Sequence, residues 1–369
     1  MNLTEFKMIK GFSLFLIAIL ISLLTGCGGG AAMFRENPQH TGVTSSYAPQ
    51  KLDKLVWKFT APDEVYASPV VSGDTVYIGC KNGIVYALDL QEGHVKWTFE
   101  TKGKIEAAVA VSGDTLYVGS WDGHLYAVDT DTHQMKWKFR AEDYVYSSPV
   151  IENGVIYFGS KDKNIYAVNA ETGAEKWRFN AKGKVFSSPV VSDDLIIVGT
   201  LDGYLRAINK RSGQEQWSYS VRAPINSSPS VHDGHVFVGA SDKYIHAVNV
   251  KTGQLKWKKK TAGPIFSSPA VYKGAVYFGS GDTYIYAYDE AHSGRIWEYQ
   301  TRGPLYSSPV IASDTVYIGS TDGYLYAMTA DRGKLRWRYK TNSKIYSSPA
   351  VADGKVIFNS VNGEVFAIK

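Results

Sequence analysis

The residues best suited to chemistry recur at one fixed interval. Aspartate stands at Asp122, Asp162, Asp202, Asp242, Asp282 and Asp322, each 40 residues from the next. A Ser-Ser-Pro triplet recurs at 147–149, 187–189, 227–229, 267–269, 307–309 and 347–349. Carboxylates could ligate a hard cation, and a serine could act as a nucleophile. Neither reading survives the spacing. A hard cation wants several oxygen ligands together, whereas these aspartates are dealt out one per repeat. A nucleophilic serine needs a base fixed beside it, and no His–Asp pair recurs with the serines. The aspartates therefore read as turn residues. Ser-Ser-Pro reads as the start of an inner strand, with proline where no ladder hydrogen bond is donated. His232-Asp233-Gly234-His235 offers two imidazoles, too few for a structural zinc site, in a turn whose counterpart is Ser72-Gly73-Asp74-Thr75. No metal is expected.

The elements that carry these residues follow from the same period. Tryptophan recurs at Trp57, Trp97, Trp137, Trp177, Trp217, Trp257, Trp297 and Trp337, and only Trp121 lies outside this register. A repeat of this size marks an array of supersecondary units. Each unit reads as four short strands, in the third copy at about 145–151, 155–159, 164–168 and 175–179, rich in Val, Ile, Tyr and Trp. Asn-Gly or Asp-Gly separates the second and third strands at 82–83, 122–123, 202–203, 322–323 and 362–363, supplying the positive φ angles of a tight hairpin. Four antiparallel strands per repeat describe a propeller blade. After Trp337 the chain has room for three strands only, while Leu55–Phe59 is an orphan fourth strand ahead of the first full unit. Pairing the two closes a ring and removes two exposed edges. The expected fold is all-β, an eight-bladed β-propeller whose last blade is built from both termini.

Residues 1–26 read as a targeting segment. Lys7 and Lys10 precede an apolar run to Leu24, as in a secretory signal. Leu24-Thr25-Gly26-Cys27 resembles a bacterial lipobox, which implies cleavage before Cys27 and lipid attachment to it. Residues 27–54 then form a lipidated tether and N-terminal segment, with Gly28-Gly29-Gly30 as its flexible start, and residues 55–369 the propeller. The polar stretch up to Gln50 is expected to pack across the ring. The formal charge is +5, too small and too dispersed for nucleic acid. Cys80 is the only other cysteine, so the mature domain holds no disulfide.

Ala87-x-Asp89-x-x-x-Gly93-x-x-x-Trp97 recurs at 167–177, 207–217, 247–257 and 327–337, with Asn for Asp in three of these. This pattern resembles the tryptophan-docking motif of quinoprotein-type propellers, named for pyrroloquinoline quinone (PQQ-like repeats). A buried indole between blades, a glycine that admits it and a small alanine beside it make physical sense of the motif. His133 and Ser293 replace the glycine in blades two and six, where looser docking is expected. Two branches matter. Quinoprotein dehydrogenases imply an acid cluster for calcium, a general-base aspartate and adjacent cysteines on long insertions. This chain has no long insertion and no adjacent cysteines. The BamB-like lipoproteins of outer-membrane protein assembly imply eight such blades, a lipobox and no enzyme activity. The expectation is a monomeric, non-catalytic scaffold without cofactor, anchored in the bacterial envelope, outer membrane facing the periplasm, and binding envelope proteins. The absence of aspartate after Cys27 favours the outer membrane. A binder of a small molecule, quinone or glycan is the alternative, and a PQQ-dependent dehydrogenase a further one.

Specificity in a near-symmetric ring belongs where the symmetry breaks. Ahead of Ser-Ser-Pro stand Tyr66, Glu106, Tyr146, Phe186, Asn226, Phe266, Tyr306 and Tyr346, an aromatic collar interrupted by Glu106 and Asn226. It reads either as a lining of the channel mouth or as plain packing. At the hairpin tips, Trp121 and Leu201 are large and apolar where polar residues are expected. Each reads either as an interface anchor or as a side chain folded inward over its blade. Lys102, Lys104, Lys182 and Lys184 share that face and complete the expected partner surface.

Overall fold

The computed structural model describes residues 31–369. The leader and Cys27 lie outside the described residues. Within them the chain forms eight four-stranded antiparallel sheets, seven of them from consecutive strands. In blade three the strands are Val150–Glu152, Val155–Gly159, Asn164–Asn169 and Glu175–Asn180. The second and third strands are almost wholly buried, because each blade is packed on both faces by its neighbours. The outermost strand alternates, half of it facing water. A bulge opposite Ala167 and Val168 aims Trp177 back across the sheet, and the same irregularity recurs in the other consecutively built blades.

Two local expectations change. The innermost strand has three residues, Val150–Glu152, and begins after Ser-Ser-Pro. The reason is in the bonding: the second serine donates its amide sideways to the next blade, and proline has none to give. The hairpin between second and third strands has positive φ at one position only, +86° at Gly83, with Gly83 N–H returning to Cys80 C=O at 3.0 Å. It is a turn closed by a left-handed residue. Lys163, Lys243 and Thr283 fill the same position without glycine, at φ of 76°, 72° and 79°.

The ring closes as the two termini imply. Leu55–Thr60 pairs antiparallel with Glu364–Ile368, Trp57 opposite Ala367. Docking then runs from blade to blade. Trp57 Nε1 donates to Leu90 C=O at 3.0 Å, and a Cβ on Gly93 would lie 2.5 Å from its ring. Equivalent bonds link Trp137 to Ala170, Trp177 to Lys210, Trp217 to Val250, Trp257 to Glu290 and Trp297 to Ala330. His133, in the glycine position, stacks on Trp97 at 4.9 Å. Ser293 leaves the Trp257 bond at 2.9 Å. For Trp337 the acceptor would fall beyond Lys369. Pro49 C=O takes its place, receiving Trp337 Nε1 at 3.3 Å and the Tyr317 hydroxyl at 2.8 Å. The N-terminal segment thus supplies the last blade with both its outer strand and its docking acceptor.

Before reaching Pro49, that segment lines the lower end of the central channel. Val191, Val231, Val271 and Ile311, in the innermost strands of blades four to seven, donate amides to Pro38, Gln39, Thr41 and Gly42 at 2.8–3.0 Å. Ala32 pairs with Val111 in blade two. Inner-strand amides that would otherwise face an open channel are thereby satisfied.

Candidate functional site

Connectors between blades and the turns joining second to third strands share one face, called upper here. Each turn tip is tied to the connector beside it: Trp121 N–H reaches Lys104 C=O at 2.9 Å, and Leu201 N–H reaches Lys184 C=O at 3.0 Å. Beneath them the second serines of Ser-Ser-Pro form a belt around the channel. Ser148 N–H donates to Ser188 Oγ at 3.0 Å, and the pattern passes through Ser228, Ser268, Ser308 and Ser348 to Ser68. Ala108 N–H donates to Ser148 Oγ at 3.1 Å, but Ala108 has no hydroxyl to offer Ser68. The belt is open there. The first serine serves its own blade, Ser147 Oγ accepting Gly159 N–H at 2.6 Å. These serines are structural, as their repetition requires.

Above the belt the collar residues do form rings in contact. Phe266 stacks on Tyr306 at 5.4 Å, Tyr306 meets Tyr346 at 5.1 Å, and Tyr346 meets Tyr66 at 5.7 Å. A shorter arc joins Tyr146 to Phe186 at 4.5 Å. Glu106 and Asn226 stand in the two gaps. All eight are partly exposed at least, Tyr306 to 37%. Burial pushes the Glu106 carboxyl up, against the pull of Lys81 and Lys104. The Tyr146 hydroxyl is pushed up to about 12, by burial first and then by Glu106 beside it.

Trp121 does not project into water. Its ring lies flat on Tyr144 at 4.9 Å and 8°, with the Lys104 ammonium 5.3 Å from the ring centre and Tyr146 at 6.2 Å. Lys161 covers the neighbouring Tyr144 at 4.1 Å. The tip is half-buried because its ring lies between the Tyr144 ring and the Lys104 ammonium. Leu201 is likewise half-buried, while Lys102, Lys104, Lys182 and Lys184 are exposed. The upper face divides into two halves. Connectors from blade eight to blade four carry the charges Asp63, Glu64, Lys102, Lys104, Glu142, Asp143, Lys182 and Lys184; the next three carry Pro224, Pro264 and Pro304. The longer aromatic arc starts on the proline side, at Phe266 and Tyr306, and runs through Tyr346 to Tyr66 beside Asp63 and Glu64.

The recurring aspartates are consumed by the fold. Asp122 accepts Lys102 N–H at 2.9 Å and the Tyr126 hydroxyl at 2.6 Å. Asp162, Asp282 and Asp322 repeat both bonds, clasping one blade to the preceding connector. Asp202 holds Arg206 at 2.8 Å, and Asp242 the His246 ring at 3.0 Å. Hard cations want several free oxygens at one point. Among the described residues no three His, Cys, Asp or Glu side chains gather. These residues do not fit the calcium of the dehydrogenase branch. His232 instead pairs with Glu290 at 2.8 Å.

Sequence reasoning missed the lower channel. Arg35, 4% exposed, donates from Nη1 to Pro309 C=O at 2.8 Å and from Nη2 to Pro269 C=O. Gly42, at φ +67°, lies against that guanidinium, where a Cβ would collide. His40 is buried beside the same group and held neutral, lowered to about 3 by burial and then by Arg35. The available signal was Arg35-Glu36 and His40 standing outside the 40-residue register, in a segment otherwise built for a path.

Two family models match the chain. One, described as the beta-propeller of beta-alanine-activating enzyme, covers residues 83–287. The other, described as outer membrane protein assembly factor BamB, covers 49–105 and 284–369. No curated protein matches. BamB from Moraxella catarrhalis superposes with a TM-score of 0.74 at 15% identity, over 86% of this chain and 99% of that one. A europium-containing methanol dehydrogenase gives 0.79 at 15% identity, over 89% and 90%. The computationally designed Ika8 protein gives 0.77 at 16% identity, over 86% and 99%. An assembly factor, an enzyme and a designed protein share this likeness, so it is one of fold. The chain belongs to the beta-propeller family described for beta-alanine-activating enzyme, and its stretches 49–105 and 284–369 match the model described for BamB.

Proposed function

We propose that this propeller is a lipid-anchored, non-catalytic scaffold of the bacterial envelope, attached through Cys27 and binding a protein partner on its upper face. A BamB-like part in outer-membrane protein assembly is the nearest specific role, with the anchor in the outer membrane facing the periplasm. One observation carries the reading: the lower end of the channel is occupied by the chain's own segment, whereas the upper end keeps aromatic rings partly exposed beside exposed lysines. Aromatic centres with charged rims are the usual anatomy of a protein contact. Trp121 and Leu201 are the anchors on the charged half, with Glu106, Asn226, Lys102, Lys104, Lys182 and Lys184 around them. The half-burial of Trp121 supports an anchor already held in one geometry, which lowers the ordering cost on binding.

The test is photo-crosslinking in the envelope from a probe at position 306 on the upper face and at position 74 on the lower. Defined partners should be captured from the first site and not the second. The double variant Trp121→Ala, Leu201→Asp should lose them, a buried anchor being worth roughly 2–4 kcal/mol. Unchanged capture in that variant places the interface elsewhere. The second reading, a quinone or other small-molecule binder, is favoured by the aromatic arc from Phe266 to Tyr66. Saturable pyrroloquinoline quinone binding with dye-linked alcohol oxidation in calcium would replace the scaffold by an enzyme.

A further inference from the structure

Between the serine belt and the N-terminal segment lies a cavity of about 120 Å³. It sits against blades eight and one, whose innermost strands make no backbone bond to the segment among the described residues, with Val310 of blade seven at its edge. Its walls include Arg35 and Glu36 from the segment, with Ser68, Pro69, Ser348 and Pro349 from the belt. Three features make it a built site. Arg35 is 4% exposed, so its charge is withdrawn from water. Its Nε has no hydrogen-bond partner among the described residues. A guanidinium has five N–H donors, and the two carbonyls of Pro269 and Pro309 answer only part of them. Ser68 and Ser348 use their oxygens to accept the neighbouring amides of Ser348 and Ser308, so their hydroxyl hydrogens remain to be given.

We propose that this cavity is a site for a small anion, an inorganic oxyanion or a carboxylate, held by the Arg35 guanidinium and the hydroxyls of Ser68 and Ser348. A buried cation without a countercharge is costly. Water could satisfy Nε–H but could not balance the charge. Among the described residues, Glu36 is the only other charged side chain in the wall. Its carboxyl is pushed up to about 7 by burial, against the pull of Arg35, so near neutrality it is a poor counterion. His40, on the same segment, stays uncharged. Arg35 therefore brings a net positive centre to a polar pocket. The volume admits a group the size of phosphate or acetate, and the donors are all N–H and O–H.

Calorimetric titration of the full chain in detergent, with inorganic phosphate in one arm and acetate in the other, tests this. One anion per chain should bind saturably, and the stronger arm identifies the class. In the acetate arm, where the ligand keeps one charge throughout, affinity should rise as pH falls through about 7, because protonating Glu36 removes a like charge from the wall. Arg35→Met should weaken binding by roughly tenfold or more, and Glu36→Gln should strengthen it at pH 8 and abolish the pH dependence. No saturable heat in either arm, or equal binding by Arg35→Met, overturns the site. Should Arg35→Met fail to fold, a bromide-soaked crystal of the unaltered protein decides. An anomalous peak within hydrogen-bond distance of Arg35 Nε supports the site, and water alone there sinks it.

Discussion

The two ends of the channel are made from the same eight repeats and are finished in opposite ways. At the lower end a non-repeated segment crosses the innermost strands, takes up their amides and buries Arg35 and His40. At the upper end the described residues outside the repeats add nothing. The repeats themselves supply the surface, and its variation comes from single substitutions such as Glu106, Trp121, Leu201 and Asn226. One end is closed by added backbone and the other is specialised by side chains. Stability should therefore be concentrated below, and recognition above.

Removing residues 27–60 tests the lower end most severely. The last blade would lose Leu55–Thr60, and Trp337 and Tyr317 would lose the Pro49 carbonyl. The exposed edge of Glu364–Ile368 would be free to pair with another chain. Aggregation on size-exclusion chromatography, or a large fall in melting temperature, is expected. A monomer with unchanged melting would mean that closure does not hold the ring.

Gly42→Ala comes next. The residue sits at φ +67°, and its Cβ would meet the Arg35 guanidinium and Ala270. A left-handed alanine costs about 1–3 kcal/mol before any clash is counted. Urea unfolding should register at least that loss. If Gly42→Ala unfolds at the same urea concentration as the parent, the segment is not fixed in the channel as described.

These two sites differ in how far the sequence announced them. Blade number and closure followed from a strict 40-residue period, since every blade solves the same packing problem with the same residues. The aspartates were legible as turn residues for the same reason. The innermost strand was misjudged because Ser-Ser-Pro bonds sideways to the next blade, a contact invisible within one repeat. Arg35, His40 and Gly42 were not legible as a site, because their partners are carbonyls and strands some 190 or more residues away. The upper face was half legible: the odd residues could be found by position, but the stacking of Trp121 between Tyr144 and Lys104 depends on a fold-level neighbour.

At the upper end the effect on folding should be smaller. Trp121→Ala removes a stacked pair and a cation–π contact at a half-buried tip, together about 1 kcal/mol. Thermal unfolding should shift by only a few degrees. A loss as large as that of a docking tryptophan such as Trp57, which is 6% exposed, would make Trp121 part of the core and remove it from the partner surface.

The smallest change lies at the boundary between the two ends. The serine belt is open at blade two, where Ala108 replaces the hydroxyl that Ser148 through Ser348 and Ser68 supply elsewhere. Blade two is also where Glu106 interrupts the collar, Trp121 occupies the tip and His133 displaces the docking glycine. Four departures in one blade mean that the repeat has been relaxed there. Ala108→Ser should restore an acceptor for Ser68 N–H, because the other seven blades already hold a serine in that place. A neutral hydrogen bond of this kind contributes about 0.5–1.5 kcal/mol, so the variant should be slightly more stable, with a melting temperature a degree or so higher to a few degrees higher. Partner capture from the upper face should be unchanged if Ala108 is only a missing link in the belt. If stability rises while capture falls, the opening in the belt is what lets Glu106 and Tyr146 adjust at the mouth. A loss of stability would mean that Ala108 is packed too tightly for a hydroxyl and that blade two departs from its neighbours in backbone as well as in side chains.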